Sequence, residues 1–452
     1  MVRGTHPTKN DMPNTLADWL TYLETLHPKT IALGLERVAR VKQRLNLQPD
    51  FPVIVVGGTN GKGSVCAMLE SILYAAGYRV GCYTSPHLLR YNERVRIAKQ
   101  QASDAELCAS FEKIEQVRGD IPLTYFEFGT LAAMQCFIAH KVDVAILEVG
   151  LGGRLDAVNV FDADCAVVTS VDIDHTDYLG NTREQIAFEK AGIFRKGCVA
   201  ICADSDVPQA IEEYAKKIGA QLWRIGKEFG FAENLPLSPS PLPLAGEGAR
   251  QGGRGQWNYR SSVGMRNSLP YPALRGAFQL HNASAALAAL DALKERLPVS
   301  MEAVRRGLNE VQLAGRFQFV PGKPALILDV AHNPHAARSL AQNLASLPPC
   351  PHTYAVFAML KDKDMAGVAA ALDAHIDTWL VAGIDTARGA TAGELEQVLQ
   401  QGRVRGGTRA FSSIAEALRY AYNAAGENDR IAAFGSFYTV AEVMVSRGLR
   451  IT

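Results

Sequence analysis

The sequence lacks a framework of paired cysteines. Its eight cysteines are scattered and none stands in a Cys-x-x-Cys pair, which disfavours both a disulfide-stapled fold and a cysteine zinc site. No apolar run reaches the roughly 18 residues of a membrane-spanning helix, and residues 1–14 lack the apolar region of a signal peptide. We therefore expect a cytoplasmic protein with no membrane partner.

The sequence also lacks an excess of charge of either sign. Lysine and arginine total 47 against 46 aspartates and glutamates, for a formal net charge of +1, so no nucleic-acid partner is expected. A Gly-x-Gly-x-x-Gly fingerprint is missing from the sequence, which disfavours a redox dinucleotide. The length of 452 residues suffices for two or three domains with ample cores.

The most informative motif is the glycine-rich stretch Gly57–Ser64, which lies between a predicted strand at 52–56 and a predicted helix at 65–76. Glycines let backbone N–H groups close around an anion, and a helix N-terminus adds partial positive charge. Lys62 is suited to reach the β- and γ-phosphates of a nucleotide. A tight strand–helix connection without a ligand is the alternative, but the coincidence of lysine, hydroxyl, strand and helix favours a phosphate site.

Strand and helix patterns alternate along the chain and predict an α/β protein. The expected architecture is an N-terminal P-loop NTPase-like parallel-sheet domain over residues 1–297 and a smaller C-terminal Rossmann-like α/β domain over 298–452. The segment 234–256 is rich in proline and glycine and is predicted to be a disordered insertion. Further strands are predicted at 79–85, 142–149, 165–170, 198–203, 325–330, 354–359, 378–382 and 431–434.

Charged residues follow the predicted strands, where ligands gather in open parallel sheets. Glu148 ends one strand, and a buried acid there needs a partner such as a cation. His175 follows the next strand among three carboxylates, which leaves open a metal or phosphate ligand and an ordinary structural histidine. Lys190 lies on a predicted helix, where a charged side chain is ordinarily solvated.

Several of these stretches recur in a known order and together resemble the folylpolyglutamate synthase family of the Mur ligase superfamily. The resemblance covers nearly the whole chain, and segment 234–256 departs from it. The stretches that carry it are Leu33-Gly34-Leu35-Glu36-Arg37-Val38, Gly58–Ser64, Thr84-Ser85-Pro86-His87-Leu88, Glu148–Ala157, Asp174-His175, Glu189-Lys190-Ala191-Gly192 and Asp329-Val330-Ala331-His332-Asn333-Pro334.

The resemblance implies a role for each matching residue. The expected nucleotide contacts are Gly58, Thr59, Asn60, Gly61, Lys62, Gly63, Ser64, Asn282, Arg316 and Asp329. The expected magnesium ligands are Ser85, Glu148 and His175. The expected catalytic residues are Lys62, His175 and Lys190, the last as a carbamylated lysine. The expected pterin contacts are Thr30, Ile31, Leu123, Thr124, Tyr125, Phe126, Asp156 and Ala157. The expected contacts to the incoming glutamate are His332 and Ser436.

The activity that the resemblance implies is ATP-dependent addition of L-glutamate to dihydropteroate and to reduced folates through an acyl phosphate. It implies a monomer that uses ATP, two magnesium ions and a monovalent cation. A mono-functional folylpolyglutamate synthase shares these motifs and stays an alternative. A peptidoglycan Mur ligase would carry a UDP-binding domain before the ATP domain, whereas the region before the first strand, residues 16–45, is predicted to be helical. A phosphate-loop switch without ligase activity is a third alternative, disfavoured by the second α/β domain.

Overall fold

The structure is a computed structural model that describes residues 13–27, 31–234 and 255–450. The first domain is built on an eight-stranded sheet with strand order β4-β3-β2-β5-β1-β6-β7-β8. All neighbours pair in parallel except at the edge, where β2–β3 and β3–β4 are antiparallel. The strands are β1 (Val53–Gly57), β2 (Val80–Tyr83), β3 (Val95–Ile97), β4 (Gln100–Gln101), β5 (Val144–Glu148), β6 (Cys165–Val168), β7 (Val199–Cys202) and β8 (Gln221–Arg224).

Helices cover both faces of this sheet. They are α1 (Leu16–Thr25), α2 (Glu36–Arg44), α3 (Lys62–Ala75), α4 (Asp104–Arg118), α5 (Tyr125–Ala139), α6 (Thr176–Leu179), α7 (Arg183–Ala191), α8 (Gln209–Ile218), α9 (Gln279–Ala292) and α10 (Met301–Glu310). In β1, Val53 and Val55 lie in the core with α4 and α5, while Ile54 and Val56 lie in the core with α3 and α9. Because both faces are buried, the central strands are continuously apolar rather than alternating.

A second, three-stranded antiparallel sheet of order β11-β10-β9 lies beside α9. Its strands are β9 (Phe229–Asn234), β10 (Gln256–Ser261) and β11 (Gly264–Pro270). Asn234, the last residue of β9, pairs directly with Gln256, the first residue of β10. The prediction that the disordered insertion covers 234–256 was therefore wrong at both ends. Its interior, residues 235–254, lies outside the described residues. Because residues 235–254 are rich in proline and glycine, the strands on either side of them were not predicted.

The second domain contains a six-stranded sheet of order β12-β13-β17-β14-β15-β16, parallel except for β12, which pairs antiparallel with β13. The strands are β12 (Gln318–Val320), β13 (Ala325–Leu328), β14 (Thr353–Phe357), β15 (Thr378–Ala382), β16 (Gly407–Phe411) and β17 (Arg430–Phe434). The helices are α11 (Pro334–Ala345), α12 (Met365–Leu372), α13 (Ala392–Gln401), α14 (Ile414–Ala424) and α15 (Phe437–Ser446). The predicted two-domain α/β fold class is confirmed.

The division predicted between residues 297 and 298 stays a prediction. α10 follows that point but packs on α3, where a Cβ added to Gly307 would lie 2.5 Å from the Cα of Ile72. Val304 and Leu308 of α10 are buried in the core of the first domain. We infer that the division lies after α10, before the chain enters β12.

Among residues 13–27, 31–234 and 255–450, no helix is both long enough and apolar enough to cross a membrane.

Candidate active site

The carboxyl ends of the first-domain strands face the second domain across a cleft of about 310 Å³. This placement follows from the parallel sheet, whose strand ends all lie at one edge. From the first domain, predicted residues that line the cleft are Gly58, Thr59, Asn60, Gly61, Lys62, Gly63, Ser64, Ser85, Glu148, His175, Lys190 and Asn282. From the second domain they are Arg316, Asp329 and His332.

The phosphate loop depends on glycine at two positions. Gly58 has φ +142° and Gly61 has φ +89°, values that side-chain-bearing residues rarely adopt. Gly61 precedes α3 and no side chain caps that helix, so its first N–H groups are available to an anion. Lys62 Nζ donates to the carbonyl oxygens of Gly58 at 2.9 Å and Thr59 at 3.1 Å. Burial lowers the pKa of Lys62, against the attraction of Glu148.

Gly58→Ala is expected to disrupt nucleotide binding. An added Cβ would lie 1.9 Å from Oγ1 of Thr169, so the loop or its neighbouring strand must move. Gly77→Ala is the matched control, since Gly77 also has positive φ, +95°, but its Cβ would meet nothing within 4 Å. Calorimetric titration with AMPPNP should show loss of binding in Gly58→Ala alone. Equal effects in both variants would mean that backbone strain, not the close approach to Thr169, is responsible.

The three predicted metal ligands lie at or after the carboxyl ends of three strands, β5, β2 and β6. Glu148 ends β5, is 5% exposed, and accepts a bond from the backbone N–H of Ser85 to Oε2 at 3.0 Å. Burial raises the pKa of Glu148, although Lys62 and the Ser85 N–H oppose this. Burial also lowers the pKa of His175 to about 4, so its imidazole is neutral at pH 7. A carboxylate, a hydroxyl and a neutral imidazole are all donors that a divalent cation accepts.

Lys190 is not the solvated group that its place on a helix would suggest. It is 3% exposed and projects from α7 into the cleft. Burial, with the neighbouring Lys62 in addition, lowers the pKa of Lys190 to about 7. No hydrogen bond or ion pair to its ammonium group is found in the described part of the chain. A substantial fraction of this side chain is therefore a neutral amine near pH 7.

The second domain contributes the charged side chains of Asp329 and Arg316 to the cleft. Asp329 follows β13 and accepts backbone N–H bonds from Phe317 and Ala331, each at 2.8 Å. Arg316 stacks over the ring of Phe437 at 5.1 Å, and burial lowers its pKa against the attraction of Asp329. His332 has a pKa lowered by burial to about 4.

Asn282 lies on α9 at the first-domain side of the cleft. Its Oδ1 would be 2.6 Å from a Cβ on Gly61, so it packs directly against the phosphate loop.

None of the predicted pterin contacts that the structure describes lines this cleft. Phe126 packs against Gly150, where an added Cβ would lie 2.8 Å from its ring. Thr124 and Asp156 accept backbone N–H bonds as caps of α5 and of the short helix at residues 157–160. Burial raises the pKa of Asp156 to about 7. Leu123 is fully buried in the first-domain core.

The other predicted substrate contacts have varied surroundings. Ala157 is buried, and Tyr125 and Ile31 are half-buried. Thr30 lies outside the described residues. Ser436 caps α15, and its Oγ lies 2.7 Å from Oγ1 of Thr439. All of these assignments stay predictions.

Sequence reasoning missed a polar network that crosses between the domains. Lys363 Nζ donates to Oδ1 of Asp174 at 2.8 Å. Asn333 exchanges side-chain bonds with Asn60 of the phosphate loop at 3.2 and 3.3 Å. A signal was available, since Lys363 comes six residues after β14 and Asn333 five residues after β13, both at the carboxyl ends of parallel strands. Nothing in the sequence indicated which first-domain residues they would meet.

Two family models and several relatives match this chain over most of its length. Residues 56–290 match the family model for the Mur ligase middle domain, and residues 315–437 match that for the Mur ligase glutamate ligase domain. The dihydrofolate synthase/folylpolyglutamate synthase of Escherichia coli (strain K12) is 46% identical over 430 residues, which are 95% of this chain and 94% of that protein.

Two solved structures are similar over their whole lengths. E. coli FolC in complex with DHPP and ADP has a TM-score of 0.87 at 45% identity, covering 96% of this chain and 98% of that one. A bifunctional folylpolyglutamate synthase/dihydrofolate synthase with Mn, AMPPNP and L-glutamate bound has a TM-score of 0.86 at 46% identity, covering 98% and 100%.

The two domains and the phosphate-loop cleft between them define a Mur-type ligase, a class of enzymes that forms amide bonds at the expense of ATP. Within that superfamily, the chain belongs to the dihydrofolate synthase/folylpolyglutamate synthase family. The predicted activity, ATP-dependent ligation of L-glutamate to dihydropteroate and folates, is confirmed at the level of this family.

Proposed function

We propose that this cleft binds ATP, activates the carboxylate of dihydropteroate or of a folate, and joins it to the amine of L-glutamate. The observation that supports this most is the convergence of a phosphate loop, a buried carboxylate and cations from both domains in one cleft. The similar solved structures, described as holding DHPP, ADP, AMPPNP, Mn and L-glutamate, supply a matching set of ligands.

The chemistry explains why ATP is needed. A carboxylate does not form an amide unaided because its oxygen is a poor leaving group. The substrate carboxylate attacks the γ-phosphorus of ATP, the bond to the β-phosphate breaks, and ADP leaves behind an acyl phosphate. The amine of L-glutamate then attacks the acyl carbon, inorganic phosphate leaves, and the nitrogen releases a proton.

The residues of this chain assist mainly by holding and neutralising charge, as in other phosphoryl transfers. The ammonium of Lys62 can bind the β- and γ-phosphate oxygens when it exchanges its hydrogen bonds to the loop carbonyl oxygens for bonds to phosphate. The guanidinium of Arg316 adds positive charge from the second domain. The N–H groups at the start of α3 hold the phosphates in place.

The donor set of Ser85, Glu148 and His175 fits a divalent cation. Glu148 is buried, and in the described residues no lysine or arginine forms an ion pair with it, so a cation would offset a costly charge. Ser85, Glu148 and His175 would hold a magnesium ion, whose positive charge would offset the negative charge of the phosphates. The number of magnesium ions, a monovalent cation and the monomeric state stay predictions.

Carbamylation of Lys190 is part of the proposal. Its neutral amine can add to CO2, which releases a proton and leaves an anionic carbamate facing the cleft. Because the neutral form predominates above the pKa of about 7, the modified fraction should rise between about pH 6 and pH 8. A ¹³C NMR carbamate signal in protein equilibrated with ¹³C-bicarbonate would report it, with Lys190→Ala as the blank. A native spectrum identical to that of Lys190→Ala would remove carbamylation from the proposal.

Parallel assays with two acceptors test the function. Purified protein with ATP, magnesium and L-glutamate should form ADP with dihydropteroate and with tetrahydrofolate, and mass spectrometry should find one added glutamyl unit in each product. ADP formation with tetrahydrofolate alone would identify a mono-functional folylpolyglutamate synthase. No ADP and no conjugate with either acceptor would contradict the proposal.

A further inference from the structure

Beside the candidate metal ligands, the two domains are joined by buried polar contacts that the proposed chemistry does not use. Lys363 Nζ lies 2.8 Å from Oδ1 of Asp174 and 3.3 Å from Nε2 of His175. Asn333 Nδ2 donates to the other oxygen of Asp174 at 3.1 Å. Lys363 and Asn333 belong to the second domain, whereas Asp174 and His175 belong to the loop after β6. Both carboxylate oxygens of Asp174 are therefore bonded from across the cleft.

The Lys363–Asp174 pair is not an ordinary surface ion pair. The side chains are only 8% and 11% exposed, so water screens them little. Exposed pairs contribute almost nothing measurable, but removing one partner of a buried pair leaves the other charge uncompensated. The position of the second domain thus has a direct energetic effect on Asp174.

Asp174 in turn holds the backbone of His175. The N–H of His175 donates to Oδ1 of Asp174 at 2.8 Å, the same oxygen that Lys363 bonds. His175 has φ +53°, a left-handed conformation that a non-glycine residue keeps only when its surroundings impose it. Bonds therefore run from Lys363 through Asp174 to the backbone of His175, and Lys363 also lies 3.3 Å from the ring nitrogen Nε2 of His175.

The same interface also contacts the phosphate loop. Asn333 and Asn60 exchange two amide bonds at 3.2 and 3.3 Å, and the ring of His335 lies 3.1 Å from Nδ2 of Asn60. The second domain therefore contacts the phosphate loop and the His175 loop through neighbouring side chains. A shift of the second domain would thus change the contacts of both loops.

We propose that Lys363 is a positioning residue for the metal site: it sets the backbone of His175 through Asp174 and the ring of His175 by direct contact from the second domain. The inference rests on the proposed function, since it takes His175 as a metal ligand. It assigns to the second domain an effect on metal affinity although the three predicted ligands all lie in the first.

The test compares Lys363→Met with Lys361→Met. Lys361 lies two residues away and is exposed, so its replacement removes the same charge without touching Asp174. Mn²⁺ binding in the presence of AMPPNP, followed by electron paramagnetic resonance, should weaken roughly 10- to 100-fold in Lys363→Met, as for other residues that orient metal ligands. Lys361→Met should bind Mn²⁺ like the native protein. Native-like affinity in Lys363→Met would overturn the inference.

A double variant separates positioning from stability. In Asp174→Asn/Lys363→Met no charge is left unpaired, so the unfolding temperature should recover relative to Lys363→Met. Mn²⁺ affinity should stay weak, because the contacts of Lys363 with residue 174 and with the ring of His175 are still missing. Recovery of both quantities would mean that Lys363 has only a structural role.

His175→Ala distinguishes failure of this inference from failure of the proposed function. If His175→Ala binds Mn²⁺ normally, the ligand assignment itself is wrong. If His175→Ala weakens binding but Lys363→Met does not, only the role of Lys363 is wrong.

Discussion

Lys62→Ala is expected to lower turnover roughly 1,000-fold, because removing a preorganised cation from a charged transition state has effects of that order. The charge that develops on the transferred phosphoryl group would lose its lysine partner, and the water that replaces the ammonium cannot be held in one orientation. Steady-state ADP release with tetrahydrofolate as acceptor measures the change. Retained turnover would contradict the assignment of Gly57–Ser64 as the phosphate loop.

The fold should survive this substitution. Lys62 bonds only carbonyl oxygens of its own loop in the described structure, those of Gly58 and Thr59. Lys42→Ala is a matched control, since Lys42 likewise donates to a backbone carbonyl, that of Val160 at 2.8 Å, but does not line the cleft. It should keep native turnover. An unfolding temperature that falls far more in Lys62→Ala than in Lys42→Ala would attribute the lost activity to misfolding.

Glu148→Gln is expected to lower turnover about 100-fold or more and to weaken Mn²⁺ binding, because an amide keeps the volume of the carboxylate but not its charge. The change removes a buried negative charge that burial already disfavours, so the apo protein should be no less stable. Turnover at saturating magnesium and the Mn²⁺ dissociation constant measure the two effects.

Glu70→Gln serves as the control for burial. Glu70 is also buried, at 5% exposure, but its carboxylate is paired with Arg96 at 2.8 Å. This variant should lose stability, since the arginine is left unpaired, while its Mn²⁺ affinity stays native. If Glu70→Gln weakens Mn²⁺ binding as much as Glu148→Gln, then the effect is not specific to a metal ligand.

Local patterns predicted much of the fold because they act over short distances. The apolar runs at 52–56 and 142–149 predicted strands, and the glycine-rich stretch Gly57–Ser64 predicted a turn, in which Gly58 and Gly61 have positive φ. Boundaries shifted by a few residues; α3, for example, begins at Lys62 rather than at residue 65. The small sheet of β9–β11 was missed because its pairing spans an insertion of different composition.

Two of the predicted substrate contacts, Thr124 and Ser436, are also helix-capping residues. Thr124 and Glu127 form the Ser/Thr-x-x-Glu capping pattern, and the structure shows that cap, with the Thr124 N–H donating to Glu127 at 2.7 Å. Ser436 likewise caps a helix. Their proposed contacts to substrate must therefore be compatible with these local bonds.

The phosphate loop, the acid at the end of β5 and the histidine after β6 could be predicted from short stretches of sequence, since each depends on a few neighbouring residues and on the rule that parallel strands end at one edge. The burial of Lys190 and the bond from Lys363 to Asp174 became visible in the three-dimensional structure. Residues 174 and 363 are far apart in the chain, and they come together because the carboxyl ends of the two sheets face each other across the cleft.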